Sequence, residues 1–140
     1  MRALCKKLMW LAAALLISLA GCSDGGTAGG VDIDLSEDSA NVAYAAIAAM
    51  IDDSDAYVGK TVRVSGQLLI DEEPGNGKLH YAVIISDAAG CCVKGIEFIP
   101  SSADEIARLP EAYDSVTVTG TFENRMDDYL YSHLENAHIE

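Results

Sequence analysis

Long apolar runs are missing from this chain. The longest, Leu8 to Ala20, covers 13 residues and is broken only by Ser18; an α-helix needs about 20 to cross the hydrocarbon core, so no permanent span is expected. Basic side chains are scarce, with 9 Lys and Arg against 22 Asp and Glu and a formal charge of −13. Nucleic-acid affinity rests largely on cationic groups that displace counterions, and no basic patch stands out, so nucleic acid is excluded as an expected partner. The charge serves solubility. Catalytic signatures are missing too. There is no nucleophile elbow, zinc-protease helix, phosphate loop or calcium-loop spacing, so no catalytic residue is assigned and enzyme activity is not expected. The paired acids Asp52 and Asp53, Glu72 and Glu73, and Asp127 and Asp128 fall in turn-forming stretches, where solvated charge accounts for them. Repeats and coiled-coil heptads do not occur.

What is present begins at the N-terminus. Arg2, Lys6 and Lys7 stand ahead of the short apolar run, the layout of a secretory signal. Leu19, Ala20, Gly21 and Cys22 follow, and they resemble the lipobox of bacterial lipoproteins at each of the four positions. The resemblance implies cleavage before Cys22 and acylation of that cysteine. Two acyl chains hold more firmly than the marginal binding of one, which implies anchorage to the outer face of the plasma membrane, or to the outer membrane facing the periplasm. The expected divisions are a signal peptide over residues 1–21, a lipid-anchored flexible acidic tether over 22–40 and one domain over 41–140. With three of the nine basic residues in the signal peptide, the mature chain carries 6 against 22 acids, a formal charge of −16 over 119 residues. That is the size of one ordinary domain. Four cysteines suggest a disulfide framework only until they are sorted by fate. Cys5 is discarded and Cys22 acylated, which leaves Cys91 and Cys92.

Ser23 to Gly30 holds four glycines in eight residues and Val31 to Glu37 extends it with alternating acids, the composition of a flexible leash. From Val42 to Ile51, Tyr44, Ile47, Ala48 and Ile51 share one helical face, with Asp38, Ser39 or Asn41 placed to cap the start. Lys60 to Ile70 alternates Val62, Val64, Leu68 and Ile70 with polar residues, the period of a strand. Gly66 falls on its inward side and marks a bend that lets one strand serve two sheets. Beyond the turn-rich loop Asp71 to Lys78, the pattern predicts strands over Leu79 to Ser86 and Val93 to Ile99. A short helix then follows Ser101 or Ser102, with Ile106 and Leu109 apolar. Strands over Asp114 to Phe122 and Tyr129 to Ala137 flank a turn at Asn124 to Asp128. This order resembles the OB-fold, which implies a mainly β chain with two short helices and a five-stranded Greek-key barrel.

The densest local signal is Asp87, Ala88, Ala89, Gly90, Cys91 and Cys92, followed by Gly95, Ile96, Glu97 and Phe98. Together with Tyr57, Val58, Gly59 and Lys60 it resembles bacterial lipoproteins with an OB-like domain and a vicinal Cys pair, a likeness that carries no activity with it. The pair is also similar to membrane-associated subunits of permease-type systems, which implies a transport setting and points to metals. Adjacent cysteines in a strand would face opposite sides, one of them in the core. A vicinal disulfide would join Cα atoms about 3.8 Å apart, where ordinary disulfides span about 4.4 to 6.8 Å, making Cys91 and Cys92 a strained redox pair. On the turn after Gly90 both thiolates could instead face a soft cation such as zinc or copper(I). An exposed thiol could also bridge two chains.

Further ligands in the mature chain are limited to His80, His133 and His138. His80 lies about 20 Å from the turn along its strand. His133 fits better, because the fifth barrel strand can run beside the third, so the candidate metal set is Cys91, Cys92 and His133, with Asp87 nearby. Tyr129 and Tyr131 share a side with His133, where OB-folds bind ligands, although core packing and strand propensity are the plainer account. The expected function is a non-enzymatic binding or assembly module of the cell envelope, without a cofactor, recognising a protein, a transporter included, a peptide or another envelope ligand. The alternative is a zinc- or copper-binding lipoprotein using Cys91 and Cys92.

Overall fold

The computed structural model of the chain describes residues 30–126 and 130–140. The expected signal peptide, Cys22, the first part of the expected tether and the stretch from Asp127 to Tyr129 lie outside the described residues.

The described structure includes residues before 41. β1 (Ile33–Leu35) falls within the stretch expected to be tether and pairs in parallel with β2 (Thr61–Glu72), Ile33 opposite Val62 and Leu35 opposite Val64. Asp32 pins this register: its N–H donates to the Thr61 carbonyl at 2.9 Å and its carboxylate accepts from the Thr61 N–H at 2.8 Å. Leu35 is buried. Three residues are too few for alternation to announce a strand.

α1 (Ala40–Asp52) carries Ser39 at its N-cap and leads into a single 3-10 turn at Ser54–Ala56. It buries Ala43, Ile47 and Met50, while Ile51 is exposed. The stripe is therefore rotated from the expected Tyr44, Ile47, Ala48 and Ile51. In a helix this rich in alanine several stripes satisfy the same spacing, and the contact with the barrel selects among them.

β2 is long because it serves two antiparallel neighbours in succession. Thr61 to Gln67 pairs antiparallel with β5 (Ser115–Met126), and Gln67 to Glu72 pairs antiparallel with β3 (Leu79–Ser86). The changeover falls at Gly66, as its position predicts. A Cβ there would stand 2.6 Å from the Ile84 carbonyl oxygen and 2.7 Å from Val83 Cγ1, so only glycine admits β3 this close. β1 occupies the edge of β2 that β3 has not yet reached, which leaves no long unpaired ladder there.

β4 (Val93–Pro100) pairs antiparallel with β3 and parallel with β6 (Leu130–Ile139), and β6 returns antiparallel to β5. The sheet order is β1-β2-β3-β4-β6-β5 with β2 also bonded to β5, so the sheet closes on itself. The chain is mainly β with two helices, six strands in one sheet of which five close around the core and β1 lies at the edge. α2 (Ala103–Ala107) lies between β4 and β5, its start capped by the Ser102 hydroxyl accepting from the Glu105 N–H at 3.3 Å. Leu109 packs on the core, but Ile106, expected beside it, is exposed. β5 also runs to Met126, past the turn expected at Asn124, because Asn124 and Arg125 are laddered to Ser132 and Tyr131.

Alternation puts Val62, Val64 and Leu68 of β2, Val83 of β3, Phe98 of β4 and Phe122 of β5 inside, all essentially inaccessible. α1 closes one end with Ile47 and Met50. Among the described residues no helix is long and apolar enough to cross a membrane.

Candidate functional site

Among the described residues, two clusters of polar chemistry stand at opposite ends of the β3–β4 hairpin. The first is the loop from Asp87 to Cys92. Asp87 begins it by bonding its own backbone, as aspartate does in turns. The Gly90 N–H donates to the Asp87 carbonyl at 2.9 Å, and the Asp87 N–H donates to the Cys92 carbonyl at 2.9 Å. Gly90 sits at φ +68°, a left-handed conformation that glycine adopts without cost. The Asp87 carboxylate faces inward over the loop, accepting from the Cys91 N–H at 3.0 Å, the Cys92 N–H at 3.4 Å and the Cys91 thiol at 3.3 Å. Asn41 of α1 braces the outside, its side-chain oxygen accepting from the Ala88 N–H at 2.9 Å.

This backbone aims both thiols the same way. Their sulfurs are 3.7 Å apart, unbonded, and both residues are exposed. The arrangement with one cysteine packed in the core is therefore not the one adopted. One Asp87 oxygen and the two sulfurs lie within 4.8 Å of one another. Slight burial acts to raise the Asp87 pKa, but the Cys91 thiol and the N–H groups of Cys92, Cys91 and Gly90 outweigh it and hold the carboxyl below its usual range. The Cys91 thiol is pushed up, first by the Asp87 carboxylate that it donates to, then by Cys92 and burial.

His133 does not join this loop. β6 does lie beside β4, as expected, but the register sets His133 opposite Glu97, five residues beyond Cys92 and so about 16 Å along the strand. It is buried on the outer face, with Nε2 2.9 Å from Glu135 Oε2 and the Tyr131 ring at 5.6 Å between centroids. Nδ1 has no hydrogen-bond partner among the described residues. Tyr129, expected on the same side, lies outside the described residues. His138 is on the surface near α2, its Nδ1 3.2 Å from Glu105.

The second cluster is a cavity of about 590 Å³ on the outer face of β2, β3 and β4, walled by the β2–β3 loop and by Tyr131. His80 is its fixed point. Its Nδ1 is 2.7 Å from Glu97 Oε1 and its Nε2 3.5 Å from Glu73 Oε2, with Asp71 directly across the ladder. Glu97, then Glu73, raise the His80 pKa against the opposing effect of burial. Lys78 and Tyr81 complete the walls, and an adjoining hollow of about 310 Å³ extends past Arg125 to Ile106. Sequence reasoning did not single out this trio. Its only trace is parity: Asp71, His80 and Glu97 all fall on outward positions of their strands.

No family model matches the chain, and no curated protein matches it. Among solved structures, one from Klebsiella pneumoniae subsp. pneumoniae is similar, a lipoprotein to which nucleic-acid binding has been ascribed. It is 18% identical, with a TM-score of 0.48, over 76% of this chain and 90% of its own. That ascription conflicts with the exclusion of nucleic acid drawn above from charge, and the exclusion is withdrawn. A net charge is a sum over the whole surface and does not fix the field over any one face.

Proposed function

We propose that this chain is a lipid-anchored module of the cell envelope that binds a partner on the outer face of its barrel and catalyses no reaction. The anchor is read from the lipobox-like Leu19 to Cys22, and the lipoprotein similar in structure is in keeping with it. The observation that carries the binding role is the cavity beside β3 and β4. Its central ring, His80, is already held between Glu73 and Glu97, and two tyrosines supply apolar surface, the mixture found in recognition sites. Three carboxylates, Asp71, Glu73 and Glu97, outnumber Lys78 and His80, which suits a basic segment of an envelope protein.

Site-specific photo-crosslinking in cells tests this. A photoreactive residue at Tyr131 is expected to trap one partner that the same residue at Asp53, exposed at the end of α1, does not trap. Equal or absent crosslinking from both positions would sink the binding role. Intact mass of the membrane-extracted protein tests the anchor separately, with a product beginning at an acylated Cys22 expected.

A further inference from the structure

The loop of Asp87, Cys91 and Cys92 is not used by the binding role just proposed, and it lies about 23 Å along β3 from His80. We infer that it is a zinc site of three protein donors, the two thiolates and the Asp87 carboxylate, with the fourth tetrahedral position open to exchange.

The geometry singles out this cation. Two sulfurs bound to zinc at about 2.3 Å with a tetrahedral angle between them stand about 3.8 Å apart. Sγ of Cys91 and Sγ of Cys92 already stand 3.7 Å apart. A disulfide would need the sulfurs at about 2.05 Å, and a linear copper(I) thiolate pair would set them farther apart than zinc does. The third donor agrees, since a carboxylate oxygen suits zinc better than it suits copper(I). Asp87 Oδ2 takes the Cys91 thiol at 3.3 Å, so the oxygen now facing a proton is the one that would face the metal once that proton leaves. Binding is balanced by release of one proton from each thiol, which leaves the zinc centre with one net negative charge.

The loop is shaped without the metal. The bonds from Asp87 N to the Cys92 carbonyl, from Gly90 N to the Asp87 carbonyl and from Ala88 N to Asn41 hold its backbone. Structural zinc sites are closed by four protein ligands and sustain the fold around them. This loop offers three, on an exposed turn of a barrel that closes without it, so the cation can be handed on by ligand exchange through the open position.

The test uses the mature, acylated chain, extracted in detergent and reduced, titrated with zinc against a chromophoric chelator and followed by native mass spectrometry. One zinc per chain is expected. Cys91→Ser and Cys92→Ser should each weaken binding by more than about 100-fold and Asp87→Asn by about tenfold or more, while His133→Gln leaves affinity unchanged. Cobalt(II) in place of zinc should show thiolate charge-transfer absorption that either serine variant loses. Unchanged unfolding midpoints in the serine variants would confirm that the barrel does not depend on the site. A reduced chain that stays metal-free in excess zinc overturns the inference, as does stoichiometric uptake of copper(I) with none of zinc. Neither result touches the crosslinking at Tyr131.

Discussion

At the scale of single residues, the chain places its least forgiving demand at Gly66. A methyl group there would meet the Ile84 carbonyl oxygen at 2.6 Å, and that oxygen belongs to a laddered strand that cannot swing aside. Gly66→Ala should therefore lower stability by about 1–3 kcal/mol through overpacking, measured by urea unfolding of the mature chain. An unchanged midpoint would mean that β3 does not pass this close. Gly66 was legible in the sequence because a lone glycine at an inward position of an alternating strand has few other uses. The cysteine pair was legible as an oddity, but its geometry was not, since that depends on the left-handed turn at Gly90 and on where the Asp87 carboxylate points. His133 shows the opposite failure. Its strand neighbour was foreseen, yet its register was not, because bonds between β4 and β6 that fix register leave no trace in either strand alone.

Single elements were legible to the extent that their periodicity was long. β2, β3 and β5 announce themselves over eight or more residues, whereas β1 has three and the exposed face of α1 is as rich in alanine as its buried face. The β2–β3 hairpin adds a device that no pattern shows, the His80 ring held between Glu73 of the loop and Glu97 of β4, with Asp71 and Lys78 alongside. With a carboxylate near each nitrogen, the charged ring is favoured and its pKa in the folded chain lies above the ordinary 6.5. The stabilisation is therefore complete below pH 6.5 and is lost as pH rises through the higher folded value. The ring is about a third exposed, so solvent screening keeps the effect under about 1 kcal/mol. Comparing urea unfolding of wild type and His80→Gln at pH 6 and pH 8 isolates it. The wild type should lose more of its advantage at pH 8. A difference between the two proteins that does not change with pH removes the clamp.

For the molecule as a whole, the strand order was readable because five alternating segments with a helix after the third admit few closed arrangements. What the order could not convey is how the ends are secured. Arg63 of β2 reaches Asp34 of β1 at 3.4 Å and donates through Nε to Glu140 at 3.0 Å, and Glu140 also accepts from the Thr119 hydroxyl at 2.9 Å. This clasp ties both ends of the described chain to the barrel, but its members are about a third exposed, and water and salt screen such pairs. Against it stands a formal charge of −16 over residues 22–140, on a domain with a radius of gyration near 13 Å. At 0.01 M salt the screening length is about 30 Å and the acids repel across the whole surface; at 0.15 M it is about 8 Å and only neighbours interact. Repulsion summed over the surface outweighs a few exposed pairs, so sodium chloride should stabilise this protein. The expected gain between those two concentrations is on the order of 1 kcal/mol, or about 4 °C in Tm, measured by thermal unfolding at fixed pH. A Tm that falls with salt would show that the Arg63 clasp and its like dominate the electrostatics, and Arg63→Gln would then abolish the fall.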